Sequence, residues 1–126
     1  MVTLLPRDPD RSAEKLAAGL RKKTGKRIAV IVSDTFGRPW RLGLTNVAIG
    51  ASGLAVLLDL RGTRDREGKL LTATILAVAD ELAAAAGLLM GKSEGTPTVV
   101  IRGYRFKPAS EKAASIIRPA EEDMFR

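Results

Sequence analysis

Within nine residues, Ser33-Asp34-Thr35-Phe36-Gly37-Arg38-Pro39-Trp40-Arg41, the chain gathers a carboxylate, two hydroxyls, two guanidinium groups and its only Trp. A carboxylate beside hydroxyl oxygens suits a hard cation, and guanidinium groups such as Arg38 and Arg41 clamp phosphate or carboxylate bidentately. A second stretch, Gly91-Lys92-Ser93-Glu94-Gly95-Thr96-Pro97, offers a Gly-flanked turn with backbone N–H groups, one ammonium and one carboxylate. Such a turn suits phosphate and metal contact. Its Gly-Lys-Ser is not the tail of a P-loop: Ala86 stands where the upstream Gly is required, and the expected helix precedes the motif instead of following it. On composition alone, a solvated turn shaped by Gly37 and Pro39, with Asp34 accepting backbone N–H bonds, explains the first stretch equally well.

The rest of the composition narrows the chemistry. The 126 residues are one domain's worth of chain and contain neither Cys nor His. Disulfides, thiolate zinc sites and Cys or His catalysis are excluded, and any metal is held by oxygen, which favours magnesium, manganese or calcium. A formal charge of +7 and an isoelectric point near 10.3 point to an anionic partner. Nucleic acid is the weaker candidate: three Phe, one Tyr and one Trp give little stacking surface, and the basic residues are scattered apart from the cluster at 21–27. No apolar run approaches the roughly 18 residues of a membrane span, and no signal-peptide pattern opens the chain, so a cytoplasmic location is expected.

These residues need elements to position them. Ala13, Leu16, Ala17 and Leu20 recur at helical spacing, with Asp8, Asp10 or Ser12 to cap the start and Gly25 to end the helix. Ile28 to Val32 reads as a buried strand that ends in a polar loop over 33–41. The Gly-rich segment 42–53 reads as strand with tight bends or close backbone approach, and 54–60 as a second apolar strand. The charged stretch 61–69 reads as a solvated hairpin or crossover loop, with anion binding or a dimer contact as the functional alternative. Helical spacing from Leu70 to Met90 is interrupted by Asp80-Glu81, of which at most one can face a buried site. Thr98 to Ile101 reads as a third strand, and Ser110 to Ile117 as a short helix capped by Ser110. Residues 120–126 form an acidic tail in which Met124 and Phe125 have nothing local to cover them.

Four motifs in this order resemble the coenzyme F-420 gamma-glutamyl ligases: Leu4-Leu5-Pro6-Arg7-Asp8-Pro9-Asp10, the nine-residue Asp34 stretch, Ala79-Asp80-Glu81-Leu82-Ala83-Ala84-Ala85-Ala86, and Met90-Gly91-Lys92-Ser93-Glu94-Gly95. The resemblance implies an α+β fold with a mixed sheet and flanking helices. Residues 1–117 would be the C-terminal part of a ligase domain, and 118–126 a tail or the start of a linker to a nitroreductase-like domain. It implies transfer of the γ-phosphate of GTP to a carboxylate of a deazaflavin precursor, followed by attack of the L-glutamate amino group, with magnesium or manganese on the phosphates. Carried over, Asp34 would ligate one metal, Thr35 and Glu94 a second, and Lys92, Ser93, Gly95, Thr96 and Pro97 would line the nucleotide. Family members are roughly twice as long and carry a further metal-binding Asp in sequence expected before Met1. The expected assembly is a homodimer or a pairing with a complementary chain, and the isolated chain is expected to be inactive.

Overall fold

A computed structural model describes residues 4–123. Helix α1, Pro9–Thr24, begins at Asp8, whose extended backbone and carboxylate accepting from the Arg11 N–H (2.9 Å) make it the cap. Pro9 costs nothing in the first turn, where its missing N–H would have no partner. Gly25, at φ +67, ends the helix by donating to the Arg21 carbonyl. The buried face is not the expected stripe: Ala13 and Ala17 are covered, whereas Leu16 and Leu20 are half exposed. Close approach is the reason. A Cβ on Gly50 would lie 2.2 Å from the Pro9 carbonyl oxygen, so α1 meets the sheet at a distance that admits only small side chains.

The polar stretch 33–41 is strand, not loop. Strand β1 runs Val30–Arg38 and pairs antiparallel with β2, Arg41–Ser52. Polar residues do not stop a strand whose backbone groups are met by a neighbour, and Ser33, Asp34 and Thr35 pair with Ala48, Val47 and Asn46. A register shift after Val32 leaves Ile49 without an opposite partner, a bulge that re-aims the outer half of the hairpin. Pro39 and Trp40 make the turn, Trp40 at φ +61 where Gly is usual. The 42–53 segment is strand as expected, with its close approach at Gly50.

The apolar run 54–60 is mostly irregular. Leu54, Ala55 and Val56 are buried, but their backbone groups are met one at a time: Ala55 N–H by the Lys107 carbonyl, Val56 N–H by Glu111, and the Val56 carbonyl by Ala79 N–H. Only Leu58–Asp59 (β3) pairs, with Ile75–Leu76 (β4), and the charged stretch between them folds back as a hairpin-like loop through an Arg64–Leu70 bridge. That arrangement overturns helix from Leu70. The β-branched Thr72, Thr74 and Ile75 stay outside the helix, and helix α2 is Val78–Met90. Thr98 to Ile101 forms no strand because no edge among the described residues meets it; Val100 stays largely exposed. The expected helix near Ser110 is a single 3-10 turn, Ala113–Ile116, followed by another at Ala120–Glu122. Met124 and Phe125 of the acidic tail lie outside the described residues.

The architecture is α+β, and every strand pairing among the described residues is antiparallel, with none of the parallel pairs a mixed sheet would add. Leu54, Val56, Ala51, Ala79 and Ala113 form the core, with Ile31, Ala48, Leu82 and Phe106 packed on it. Burial of this kind contributes roughly 1.5–3 kcal/mol for each large side chain. The core is nonetheless small for the chain. The 13.5 kDa chain exposes 10229 Å², whereas a compact monomer of that mass exposes roughly 6,500 Å².

Candidate functional site

The pleat of the hairpin sorts the candidate residues. Side chains alternate along β1, so Ile31, Ser33 and Thr35 share the face that carries the core, while Val32, Asp34 and Phe36 share the other. Thr35 lies directly opposite Asn46, and its hydroxyl donates to Asn46 Oδ1 (3.0 Å). The C-terminal end of α2 meets the same spot. Asn46 Nδ2 lies against Met90 Sδ (3.9 Å), and a Cβ on Gly87 would collide with the Asn46 amide. Beyond α2 the chain turns at Gly91, φ +63, where a Cβ would lie 2.8 Å from Glu94 Oε2. That turn returns Lys92 to the sheet, and its ammonium donates a short hydrogen bond to Thr35 Oγ1.

Two motifs 57 residues apart in sequence are thus joined at one hydroxyl. Thr35 and Lys92 meet at this end of the hairpin, and Glu94 lies exposed in the same turn as Lys92, its carboxylate beside Gly91. Asp34 projects from the opposite face, exposed and with no side-chain partner among the described residues. Arg38 is occupied near the turn: one guanidinium nitrogen donates to the Leu42 carbonyl (3.2 Å), and its Nε is buried without a partner. Arg41 is exposed at the same turn. Ser93, Gly95, Thr96 and Pro97 are exposed and make no contact with the hairpin comparable to that of Lys92.

The donors fit a hard cation by type, all being oxygens, but among the described residues no three acidic side chains converge as a cage. Side chains on opposite faces of one strand cannot grip the same ion. Asp34 and Thr35 are therefore not placed to share one ion. Asp80 is placed elsewhere: half-buried, it accepts the outward Ala48 N–H at 2.9 Å and so holds α2 to the free edge of β2. Asp10 does the same for α1, accepting from Ala51 (2.8 Å), Ala113 (2.7 Å) and Ala114 (3.4 Å). Asn46 escaped sequence reading, because an Asn in an apolar strand looks like a bend signal; its position opposite Thr35 is set by a bulge that the sequence does not announce.

Fold and site together define an α+β unit whose long hairpin and following turn carry oxygen donors and cations. The chain belongs to the F420-0:gamma-glutamyl ligase family, whose model matches residues 1–103. It is 47% identical over 126 residues to the coenzyme F420:L-glutamate ligase of Methanocaldococcus jannaschii, covering 99% of this chain and 51% of that protein. It is 50% identical over 129 residues to the ligase of the same name from Methanothermobacter thermautotrophicus, covering 100% and 51%. For that of Methanopyrus kandleri the identity is 51% over 132 residues, covering 99% and 52%. The chain spans about half the length of the curated relatives it matches.

Proposed function

We propose that this chain supplies part of the active site of a cytoplasmic, GTP-dependent ligase that adds L-glutamate to a deazaflavin coenzyme precursor. The observation that carries the reading is the meeting of Lys92 and Thr35, which puts a phosphate-binding cation and an oxygen donor from two separate motifs at one point. In the reaction, a precursor carboxylate oxygen attacks the γ-phosphorus of GTP, the bond to GDP breaks, and an acyl phosphate forms. The glutamate amino group then attacks the acyl carbon, loses a proton, and expels inorganic phosphate as the amide forms.

Lys92 neutralises γ-phosphate charge, and the turn through Ser93, Gly95, Thr96 and Pro97 lines the nucleotide. Arg38 and Arg41, at the hairpin turn, would bind the carboxylate-bearing substrates or phosphate. Asp34 for one ion, and Thr35 with Glu94 for a second, would hold magnesium or manganese, which when bound offsets the phosphate charge that develops during transfer. Charge neutralisation and positioning are what phosphoryl transfer demands of a protein, and neither needs Cys or His.

The site is a partial one, and two observations favour this. Among the described residues the acidic ligands do not close a cage. The surface exposed beyond that of a compact monomer, roughly 3,700 Å² on this chain alone, is more than the ~1,000–2,500 Å² per partner that many obligate interfaces bury. Leu42, Leu44, Leu88 and Val100 are among the exposed apolar side chains. A second copy or a complementary chain is therefore part of the working assembly.

Calorimetry with GTP and manganese tests the binding part. Saturable GTP binding that requires manganese is expected, and GTP binding indifferent to manganese contradicts the reading. Light scattering should show a dimer or larger species. A coupled assay on the isolated chain should show no γ-glutamyl product, and product from a monodisperse monomer would overturn the partial-site reading.

A further inference from the structure

A lysine ammonium is donor-only, so the oxygen it meets must present a lone pair and turn its own proton elsewhere. At Thr35 that proton goes to Asn46 Oδ1 (3.0 Å), while Lys92 donates to Oγ1. The Asn46 amide oxygen anchors this arrangement. By taking the Thr35 hydrogen it leaves both lone pairs of Oγ1 to cations; were Nδ2 in its place, Asn46 would occupy one of those lone pairs and leave the hydrogen unanchored.

Three features of the fold hold Asn46 as it is. Nδ2 faces Met90 Sδ, a weak acceptor that rewards the amide nitrogen on that side. The bare backbone of Gly87 leaves room for the amide, which a Cβ there would strike at 2.7 Å. The β1–β2 register sets Asn46 opposite Thr35. The amide is half-buried, so water competes poorly for Oδ1.

We infer that Asn46 is a positioning residue, whose oriented amide fixes the Thr35 hydroxyl as an acceptor for cations and thereby places Lys92. The inference deepens the ligase reading, because an acceptor hydroxyl is what a phosphate-bound cation or the Lys92 ammonium requires. It concerns the ligand-free protein as well, so its test does not need turnover.

The first arm follows the Lys92 side-chain ¹⁵Nζ resonance by NMR in the ligand-free full chain. Thr35→Val, nearly isosteric, should move that resonance to the position of solvent-exposed lysines. Asn46→Leu should do the same, and Asn46→Asp, which keeps an acceptor oxygen, should leave it displaced. The decisive comparison is additive or not: Asn46→Leu in the Thr35→Val background should change nothing further, because Asn46 acts through Thr35. An unmoved Lys92 signal in Thr35→Val, or in folded Asn46→Leu, overturns the inference.

The second arm measures manganese-dependent GTP affinity by calorimetry, where Asn46→Leu should weaken binding about tenfold, the effect of one charge-assisted hydrogen bond, and Asn46→Asp should restore it. Wild-type protein that binds no GTP while the Lys92 signal behaves as expected would overturn the nucleotide reading and leave the role of Asn46 standing.

Discussion

Two sets of carboxylates in this molecule have the same chemistry and opposite employment. Asp10, Asp80 and Glu111 are turned inward onto backbone N–H groups of Ala51, Ala48 and Val56, where they fasten α1, α2 and the segment after residue 107 to the sheet and core. Asp34 and Glu94 have no hydrogen bond or ion pair among the described residues. The difference is one of local geometry. A strand edge and an irregular core segment leave backbone donors that something must satisfy, and a carboxylate on a packed neighbour does so with a charge-assisted bond. Asp34 instead points from the exposed face of β1, away from the packed helices, and no backbone N–H reaches its carboxylate among the described residues.

Breaking the first set should be the more damaging to the fold. Asp10→Ala removes one acceptor from three N–H groups and should lower stability by about 3 kcal/mol or more, seen as a drop in the midpoint of urea denaturation. Asp80→Ala removes one such bond and should cost about 1.5–3 kcal/mol, with faster hydrogen exchange at Ala48 as a local sign. Asp34→Asn and Glu94→Gln should leave the unfolding free energy within about 0.5 kcal/mol of wild type. A large loss of stability in either variant would merge the two sets.

A third kind of carboxylate sharpens the contrast at the small end. Asp59 forms an exposed pair with Arg61, whose guanidinium hydrogen bonds hold the carboxyl at about 2, below its ordinary 3.8. Because the folded value is the lower one, the pair favours the folded chain above the ordinary value and ceases to do so as pH falls through about 2. An NMR titration of the Asp59 carboxyl should find that midpoint, and Arg61→Gln should return it toward 3.8. An unchanged midpoint in the variant would remove Arg61 as the cause.

How much of this was legible in the sequence follows from what each feature depends on. The stop at Gly25 and the end of α2 at Gly91 are local, and spacing and residue type reveal them; for the cap they narrow the choice to Asp8, Asp10 or Ser12, of which Asp8 takes the place. The family is legible too, because its motifs are contiguous and the family match bears them out. The strand through Asp34 was hidden because polar residues suggest a loop, while the ladder that keeps them extended is supplied by residues 44–48. Leu16 and Leu20 were misplaced because periodicity marks an apolar stripe without saying how closely the helix will approach, and Gly50 sets that distance from another element. The duty of Asp80 was invisible for the same reason: its partner is a backbone N–H 32 residues away. Thr98 to Ile101 had the composition of a strand and lacked a neighbour to pair with.

The most direct measurement is calorimetry with GTP and manganese on wild type, Asp34→Asn and Asp80→Asn, each with its denaturation midpoint measured in parallel. A carboxylate reserved for a cation cannot be replaced by a neutral amide, whereas one that fastens backbone can keep an acceptor oxygen. The account predicts that Asp34→Asn loses manganese-dependent GTP binding with its midpoint unchanged, and that Asp80→Asn binds GTP while melting earlier. Equal GTP affinity in Asp34→Asn and wild type would contradict it.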